Sequence, residues 1–160
     1  MLLYRLGNHK FIDDLSGEGA RRFGGRWNEI GMPAIYTSNS LSLAFLEILC
    51  HIKPSLIKNN FSVLVLEFDS IIGGLDRLHE TDLPTNWNDY PAPQEIVNIG
   101  TKWLKQSITV GLGVPSAAMP FANNNEFNVL LNPNHHFFDR CVTIKDISPF
   151  AFDERMIGLG

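Results

Sequence analysis

An arginine preceded by two glycines is the first residue whose surroundings suggest chemistry. In FGGRWNEIGMPAIYTS, residues 23–38, two glycines precede Arg26, and a tryptophan and an asparagine follow it. Glycines allow a ligand or a neighbouring backbone to come close, and the planar guanidinium group binds two oxygens of a phosphate or a carboxylate at once. The segment therefore predicts a site for a small anion. The structural alternative is an Arg26 side chain that stacks on Trp27 or pairs with Glu29.

A carboxylate in an apolar helical segment is the second candidate. In NSLSLAFLEILCHI, apolar side chains spaced about 100° apart surround the helix on nearly all sides, which predicts a buried helix. Glu47 lies between Leu43 and His51 on the helical wheel. A buried carboxylate is costly unless it is paired or hydrogen-bonded. Glu47 is therefore either half of a structural ion pair with His51 or a functional acid at the floor of a cleft.

Signatures of other chemistries are absent from the sequence. GLGVPS lacks the third glycine of a dinucleotide-binding loop, and there is no Walker A loop, no GxSxG elbow and no HExxH helix. His135 and His136 are adjacent in an extended segment, where neighbouring side chains point in opposite directions, so they make a poor metal pair. The sequence predicts neither a metal site nor a bound cofactor.

The composition is typical of a globular protein with an acidic balance. The chain has 160 residues, 44% hydrophobic and 19% charged, which predicts one domain over residues 1–160. A net charge of −4 argues against direct binding to nucleic acid, although Arg21, Arg22 and Arg26 together could hold one small anion. The longest apolar run, residues 43–50, contains a charged glutamate, so no membrane span is predicted.

The N-terminal residues bear on the compartment. MLLYRLGNHK has no basic region before an apolar core, so we expect no signal peptide and a cytoplasmic location. Cys50 and Cys141 are then expected to be reduced thiols that pack as small buried hydrophobes.

The elements that must position these side chains predict a compact α+β domain. Residues 13–25 are typical of a loop or short turn, and residues 69–93 are mostly loop. Because strands and helices do not alternate regularly, a doubly wound parallel sheet is disfavoured. Strands are predicted for MLLYRL at an edge, for PAIYTS, FSVLVLEFD, NVLLNP and CVTIKDISPFAF, and for two short pieces of SITVGLGVPSAAMP around a turn at 111–115.

Two helices are predicted from start and stop signals and from their apolar spacing. The first carries Glu47, is capped by Asn39 or Ser40, and ends at Pro54. The second, PQEIVNIGTKWLKQ, has Pro93 in its first turn and places Ile96, Gly100 and Trp103 on one apolar face.

A long block of the sequence resembles the RES domain family. RFGGRWNEIGMPAIYTSNSLSLAFLEIL contains its Gly-Arg-Trp-Asn motif, its Tyr-Thr-Ser strand end and its helix with Leu-Ala and a glutamate. VPSAA and NVLLNPNHHFF follow in the family's order, so the resemblance spans nearly the whole chain. One departure is visible, since His136 stands where members often have proline, outside the set of site residues.

The resemblance implies a fold, an activity and a partner. The fold is a mixed-sheet domain like that of ADP-ribosyltransferase toxins. Members are toxins of bacterial toxin–antitoxin pairs that break the nicotinamide–ribose bond of NAD, with water or inorganic phosphate as the acceptor. NAD is then a substrate. The partner is a helical DNA-binding antitoxin of the Xre type, which inserts a segment into the cleft, and a homodimer within that complex is compatible with the pattern.

Residue roles follow from the same resemblance. Arg26 holds the pyrophosphate, Tyr36 lies against the nicotinamide or its ribose, and Ser116 hydrogen-bonds a phosphate or the nicotinamide amide. Glu47 faces the positive charge that grows on an oxocarbenium-like ribose. The catalytic set is Arg26, Tyr36, Glu47 and Ser116, and the NAD-binding set is Arg5, Gly25, Arg26, Tyr36 and Ser116.

Two alternatives stay open at this point. The same site could transfer ADP-ribose to a protein target, because the acceptor is not encoded in the Arg-Tyr-Glu-Ser set. A catalytically dead binding module is the other, although the intact set and a buried carboxylate count against it.

Overall fold

The computed structural model describes residues 1–51, 60–120 and 125–153. Its helices are α1 (Glu18–Phe23), α2 (Leu41–His51), α3 (Ser70–Gly73), α4 (Gln94–Gln106) and α5 (Phe138–Cys141). Its strands are β1 (Leu2–Asn8), β2 (Ile35–Ser38), β3 (Phe61–Phe68), β4 (Leu75–Arg77), β5 (Gly111–Val114), β6 (Asn128–Leu131) and β7 (Val142–Phe150). No helix within these ranges is long and apolar enough to cross a membrane.

The seven strands form one mixed sheet in the order β4-β5-β6-β2-β1-β3-β7. Only the β4–β5 pair is parallel among these neighbours. The predicted mixed sheet is therefore present, but β1 is not the edge strand that we expected. It lies between β2 and β3 and pairs with β3 over seven residues, Leu2↔Glu67 to Asn8↔Phe61. Leu3 and Leu6 are both buried, in the clusters on opposite faces of the sheet, as expected for a central strand.

The two faces of the sheet are covered differently. One face carries a core of aliphatic and aromatic side chains that includes Leu3, Ile35 and Leu64. On the opposite face, the buried side chains of α4 pack over β5 and β6, and those of α2 pack over β1 and β3. The strip of sheet where these two clusters adjoin carries polar side chains of β2 and β6, and this is where the candidate site lies.

Helix α2 is less buried than its composition predicted. Leu43 and Ala44 are buried, but Leu46 and Cys50 are exposed. The helix packs on the sheet with one side only, so the prediction of burial all round is wrong, as is the prediction that Cys50 is buried. Ser40 caps the helix as predicted, because its hydroxyl accepts a hydrogen bond from the Leu43 N–H at 3.1 Å. The predicted stop at Pro54 lies outside the described residues.

Residues 13–25 contain a helix where a loop was predicted. Glu18 opens α1, and its carboxylate accepts hydrogen bonds from Arg21 and Arg22 at 2.6 and 2.5 Å, three and four positions along the helix. Gly17 and Gly24 bound it with φ angles of 70° each. Both arginines pair with Glu18 and are exposed, so the structure gives no support to an anion site that they share with Arg26.

The glycines at 111–115 belong to a strand and not to the predicted turn. A Cβ at Gly111 would meet the Phe68 ring at 2.8 Å, and one at Gly113 would meet Phe127 and the Arg77 side chain at 3.2–3.3 Å. The glycines are present because large side chains cross this buried strand, not because the chain reverses. The predicted loop 69–93 likewise includes the short elements α3 and β4.

The remaining predictions of elements are confirmed. β2, β3, β6 and β7 follow the predicted segments, and α4 begins directly after Pro93. Ile96, Gly100 and Trp103 are buried on one face of α4, as predicted.

Candidate active site

The Gly-Arg-Trp-Asn segment forms a tight loop whose tip carries Arg26 and Trp27. The Gly25 N–H donates to the Asn28 carbonyl at 3.0 Å, and the Asn28 N–H returns a hydrogen bond at 3.4 Å. Trp27 is buried and packs on α4 at Gly100, where any side chain would overlap the Trp27 carbonyl oxygen. The loop is thus fixed to the helix beneath it.

Tyr36 and Asn28 hold this loop from inside. The Tyr36 hydroxyl accepts a hydrogen bond from the Trp27 N–H at 3.0 Å and donates one to Asn28 Oδ1 at 2.7 Å. The Asn28 amide donates in turn to the carbonyls of Ala20 and Met32, both at 2.9 Å. Burial raises the pKa of Tyr36, so the hydroxyl stays protonated. With its proton committed to Asn28, Tyr36 offers a ligand its ring and one oxygen lone pair.

Asn28 is a residue that the sequence reasoning did not single out. It is 1% exposed, and its side chain makes four hydrogen bonds. Its only signal was its place in the Gly-Arg-Trp-Asn motif. An asparagine so buried and saturated has a positional role, which is to lock the loop behind Arg26.

Arg26 takes neither of the structural alternatives. Its Nη1 donates to the Trp87 carbonyl at 2.8 Å and its Nη2 to the Asp89 carbonyl at 3.0 Å, whereas Glu29 pairs with Lys105 at 3.7 Å. These contacts fix the plane of the guanidinium group and leave three of its five N–H groups without a partner in the described residues. Partial burial lowers the pKa of Arg26, and the negative charge of Glu47 opposes that shift.

Glu47 faces the sheet with two neutral donors on one carboxylate oxygen. Its Oε1 accepts hydrogen bonds from Ser116 Oγ at 2.7 Å and from Asn128 Nδ2 at 2.5 Å. The proposed ion pair with His51 is not formed among the described residues. Glu47 is half-buried. It is therefore a carboxylate held by side-chain hydrogen bonds and placed within the electrostatic reach of Arg26.

Ser116 connects this carboxylate to a neighbouring cleft. It is 2% exposed, its hydroxyl oxygen accepts a hydrogen bond from the Met119 N–H at 3.1 Å, and its O–H donates a hydrogen bond to Glu47. The cleft beside it is also lined by Arg77, His79 and Glu126. Because its proton is engaged with the Glu47 carboxylate and no histidine hydrogen-bonds to it in the described residues, its position suits a hydrogen-bond donor and not a nucleophile.

Arg5 is not brought together with the other site residues. It pairs in register with Leu64 of the opposite core face, whereas Tyr4 pairs with Ser38 on the site face. Its Nη1 donates to the Asp14 carbonyl at 2.8 Å. Burial lowers the pKa of Arg5, and the charge of Asp14 opposes this. The NAD contact predicted for Arg5 is therefore not supported by its position, which is on the face of the sheet opposite to Tyr36 and Ser38.

The two histidines lie at the other end of β6 from the site. They lie in a turn and not in the extended segment that was expected, and their rings stack with centroids 4.5 Å apart instead of pointing in opposite directions. His135 Nδ1 accepts a hydrogen bond from the Phe137 N–H at 3.1 Å. No group of three or more His, Cys, Asp or Glu side chains in the described ranges is arranged to hold a metal ion. Cys141 is buried as predicted.

Four of the predicted residues thus converge on one face of the sheet. Tyr36 and Ser38 are two positions apart on β2 and therefore share one face of the sheet. They pair in register with Leu130 and Asn128 of β6. Arg26 is tied to Tyr36 through the loop, and Ser116 is tied to Glu47 directly. The arrangement offers donors for an anion, an aromatic face and a fixed negative charge, which together suit a ligand that is anionic at one end and becomes cationic at a reacting carbon.

The chain is similar to known proteins in both sequence and fold. The RES domain family model matches residues 2–153. The protein named Toxin Res of Yersinia enterocolitica is 40% identical over 157 residues, which cover 98% of this chain and 99% of the relative. The Prs ADP-ribosylating toxin of a Sphingobium species is 32% identical over 146 residues, covering 91% and 88%.

A third relative links the chain to a solved structure. The NAD(+) phosphorylase MbcT of Mycobacterium tuberculosis is 57% identical over 37 residues, covering 22% of this chain and 20% of the relative. A chain in the crystal structure of the M. tuberculosis MbcT–MbcA toxin–antitoxin complex superposes with a TM-score of 0.70 at 18% identity, covering 94% of this chain and 84% of that one. The predicted fold class, a mixed-sheet α+β domain of the ADP-ribosyltransferase toxin type, is confirmed.

Proposed function

The chain belongs to the RES domain family, and from that premise we propose that it is the toxin of a toxin–antitoxin pair that depletes NAD by cleaving the nicotinamide–ribose bond. One observation carries the proposal. The Glu47 carboxylate is held on the sheet face by Ser116 and Asn128, within the electrostatic reach of Arg26. A structural carboxylate would be expected to pair with a cation in contact, whereas this one is held by neutral donors.

The binding half of the proposal rests on Arg26 and Tyr36. Arg26 has three N–H groups beyond those on Trp87 and Asp89, enough for a two-pronged contact to the pyrophosphate. The Tyr36 ring, whose hydroxyl is anchored in the loop, supplies a flat face for the nicotinamide. Gly25 keeps the loop close to Tyr36, because a Cβ there would overlap the hydroxyl.

The catalytic half rests on Glu47. As nicotinamide departs, its ring nitrogen takes the bonding electron pair and the ribose carbon becomes oxocarbenium-like. A fixed carboxylate stabilises that developing positive charge more than it stabilises the ground state, which is the condition for lowering the barrier. Because Ser116 and Asn128 are already oriented, little reorganisation is needed at the moment of reaction.

The acceptor of the ribosyl carbon distinguishes two candidate activities. Cleavage with phosphate as the acceptor is supported by the local identity to the NAD(+) phosphorylase MbcT, and water is the alternative acceptor for the same cleavage. Transfer to a protein is the second candidate, supported by the longer match to the Prs ADP-ribosylating toxin. Both use the same bond cleavage and the same four side chains, so they differ only in what enters after nicotinamide has left.

The deciding experiment is incubation of the purified protein with NAD, with and without inorganic phosphate, followed by product identification. Free ADP-ribose indicates hydrolysis, and ADP-ribose 1″-phosphate indicates phosphorolysis. Mass spectrometry of a cell extract exposed to NAD and the protein detects a modified target. Growth arrest on expression with unchanged NAD and no modified protein would exclude both activities.

We also propose a co-encoded partner that silences the protein in the cytoplasm. A toxin must be blocked in its own cell, and the chain in the MbcT–MbcA complex shares this fold. We propose that the partner is a helical, Xre-type antitoxin that covers the cleft. Adding the neighbouring gene's product should abolish NAD cleavage, and a bound partner that leaves cleavage intact contradicts this.

Arg26→Lys should lower kcat/KM for NAD by about 10- to 100-fold, the loss expected for one or two charge-assisted hydrogen bonds. A lysine keeps the charge but cannot reach the Trp87 and Asp89 carbonyls and two phosphate oxygens with one ammonium group. Steady-state kinetics measure the effect. Arg22→Lys is the matched control, since Arg22 is exposed and pairs with Glu18, and it should behave like the wild type. Full activity of Arg26→Lys would show that Arg26 acts only as a charge.

A further inference from the structure

We propose that Asn128 and Ser38 are positioning residues that hold Glu47 so that only its second oxygen, Oε2, faces the reacting ribose. This inference deepens the proposed function and rests on it for its kinetic part. Neither residue contributes a charge, and the role comes from the hydrogen bonds they make.

The two residues sit on adjacent strands of the site face. Ser38 ends β2 and Asn128 begins β6, and they are direct cross-strand partners. On either side of this pair, Val114 of β5 and Tyr4 of β1 complete one row across four strands. Ser38 is 3% exposed. The row therefore forms a rigid floor, and its polar centre lies directly under the carboxylate of α2.

The direction of each hydrogen bond follows from the groups involved. The Ser38 hydroxyl donates to Asn128 Oδ1 at 2.6 Å, because an amide oxygen can only accept. This leaves Asn128 Nδ2 to donate to Glu47 Oε1 at 2.5 Å. The reversed amide would place its oxygen against a carboxylate oxygen, two acceptors in contact. Ser38 thus fixes the orientation of Asn128, and Asn128 fixes Glu47.

Both donors meet the same oxygen of Glu47. Ser116 also donates to Oε1, at 2.7 Å, while Oε2 has no hydrogen-bond partner among the described residues. A carboxylate held at one oxygen by two donors cannot rotate without breaking both hydrogen bonds. Oε2 is then the oxygen available to a ribose hydroxyl and to the positive charge at the anomeric carbon. Ser116 approaches from the end of β5, so the carboxylate is held from two strands.

A structural role for the same contacts makes a different prediction. If Ser38 and Asn128 served only the sheet, removing them would lower stability and leave the turnover of the folded protein unchanged. If they position Glu47, turnover falls with little change in substrate affinity, because the interaction matters most in the transition state. The ratio of kcat to KM effects separates the two.

The kinetic test uses three variants and one control. Asn128→Ala should lower kcat by about 10- to 100-fold, as expected when a reacting group is misplaced, with KM within about threefold of the wild type. Ser38→Ala should lower kcat less, and it should add nothing to Asn128→Ala, since Ser38 acts only through Asn128. Asn132→Ala is the control, because Asn132 is a buried asparagine beyond the other end of β6 that bonds to Leu104 and Ser107. It should lose stability but keep kcat.

The pH dependence of turnover in Asn128→Asp is a measurement that a purely structural role of Asn128 would not change. With both carboxylates ionised, the introduced aspartate and Glu47 repel each other, and turnover should be low at about pH 8. As the pH falls to about 5.5, one shared proton lets the new acid donate to Glu47, so turnover should rise. The wild type should show no such rise. Arg26 stays protonated in this range, and the pKa values of Tyr36 and Cys50 are raised. His51 on α2 and His79 in the cleft beside Ser116 are present in both proteins, so the wild-type profile accounts for their contribution.

A spectroscopic measurement keeps the inference independent of NAD cleavage. The side-chain amide resonances of Asn128 should move in both Ser38→Ala and Glu47→Gln, and those of Asn132 should not. If the wild type cleaves no NAD but these shifts occur, the proposed function fails and the positioning contact stands. Unmoved Asn128 resonances, or a Ser38→Ala effect on kcat that persists in Asn128→Ala, would overturn the inference.

Discussion

Glu47→Gln should lower the rate of NAD cleavage by about 100-fold or more, the scale seen when one preorganised electrostatic group is removed. The glutamine has nearly the same shape, and its amide oxygen can still accept from Ser116 and Asn128. What is lost is the negative charge toward the ribose. Because that charge matters mainly once nicotinamide is leaving, NAD binding should weaken far less than turnover.

The stability of the same variant separates a catalytic from a structural carboxylate. A buried ion pair that loses one charge costs about 3–5 kcal/mol. Glu47 has no such pair with His51, and its contacts are two neutral donors, so the melting temperature should hold or rise, as in stability–activity trade-offs. Calorimetry, a binding titration and one rate measurement give all three quantities.

The matched control is Glu67→Gln. Glu67 lies on β3 and pairs with Lys145 at 2.9 Å, with about half of each side chain exposed. This surface pair contributes little to stability, and its loss should leave turnover unchanged. A stable, NAD-binding Glu47→Gln with near wild-type turnover would falsify the catalytic role of Glu47.

Elements with strong local patterns could be predicted from the sequence. The apolar run of β3 and the one-sided spacing of α4 reflect burial that each segment carries in its own residues. The placement of β1 could not be predicted, because whether a strand is central or at an edge depends on which other strands pair with it. Likewise, Gly111 and Gly113 signal a turn locally, and only the rings of Phe68 and Phe127 explain them.

The candidate site likewise has a part that the sequence predicts and a part that it does not. The motif brought together Arg26, Tyr36, Glu47 and Ser116, and the structure places all four on one face. Their hydrogen bonds were beyond the sequence, since Asn128 lies 81 positions from Glu47 and Trp87 lies 61 from Arg26. Polar partners at such separations leave no periodic signal. For this reason the sequence indicates only the local candidate His51 for Glu47, whereas its hydrogen-bond partners come from β6 and from the segment that follows β5.

Gly25→Ala should destabilise the protein by about 1–3 kcal/mol, the usual cost of overpacking, and should lower NAD cleavage by about 100-fold. A Cβ at Gly25 would overlap the Tyr36 hydroxyl, and it would lie 2.8 Å from Asn28 Oδ1. The loop must shift to admit it, and Arg26 at its tip moves with it. Thermal unfolding and steady-state kinetics report the two effects. Gly19→Ala in α1 is the control, since a Cβ there meets no atom within 4 Å, and it should match or slightly exceed wild-type stability.

Tyr36→Phe turns this prediction into a test of the contact itself. Tyr36→Phe alone leaves the Trp27 N–H and Asn28 Oδ1 without their hydrogen-bond partner. This should lower the free energy of unfolding by about 1–3 kcal/mol. It also removes the atom that the new Cβ would overlap most. The double variant should therefore be more stable than the sum of the two single effects, by about 1 kcal/mol or more. Strict additivity would mean that the loop yields elsewhere and that Tyr36 is not the support against which Gly25 holds Arg26 in place.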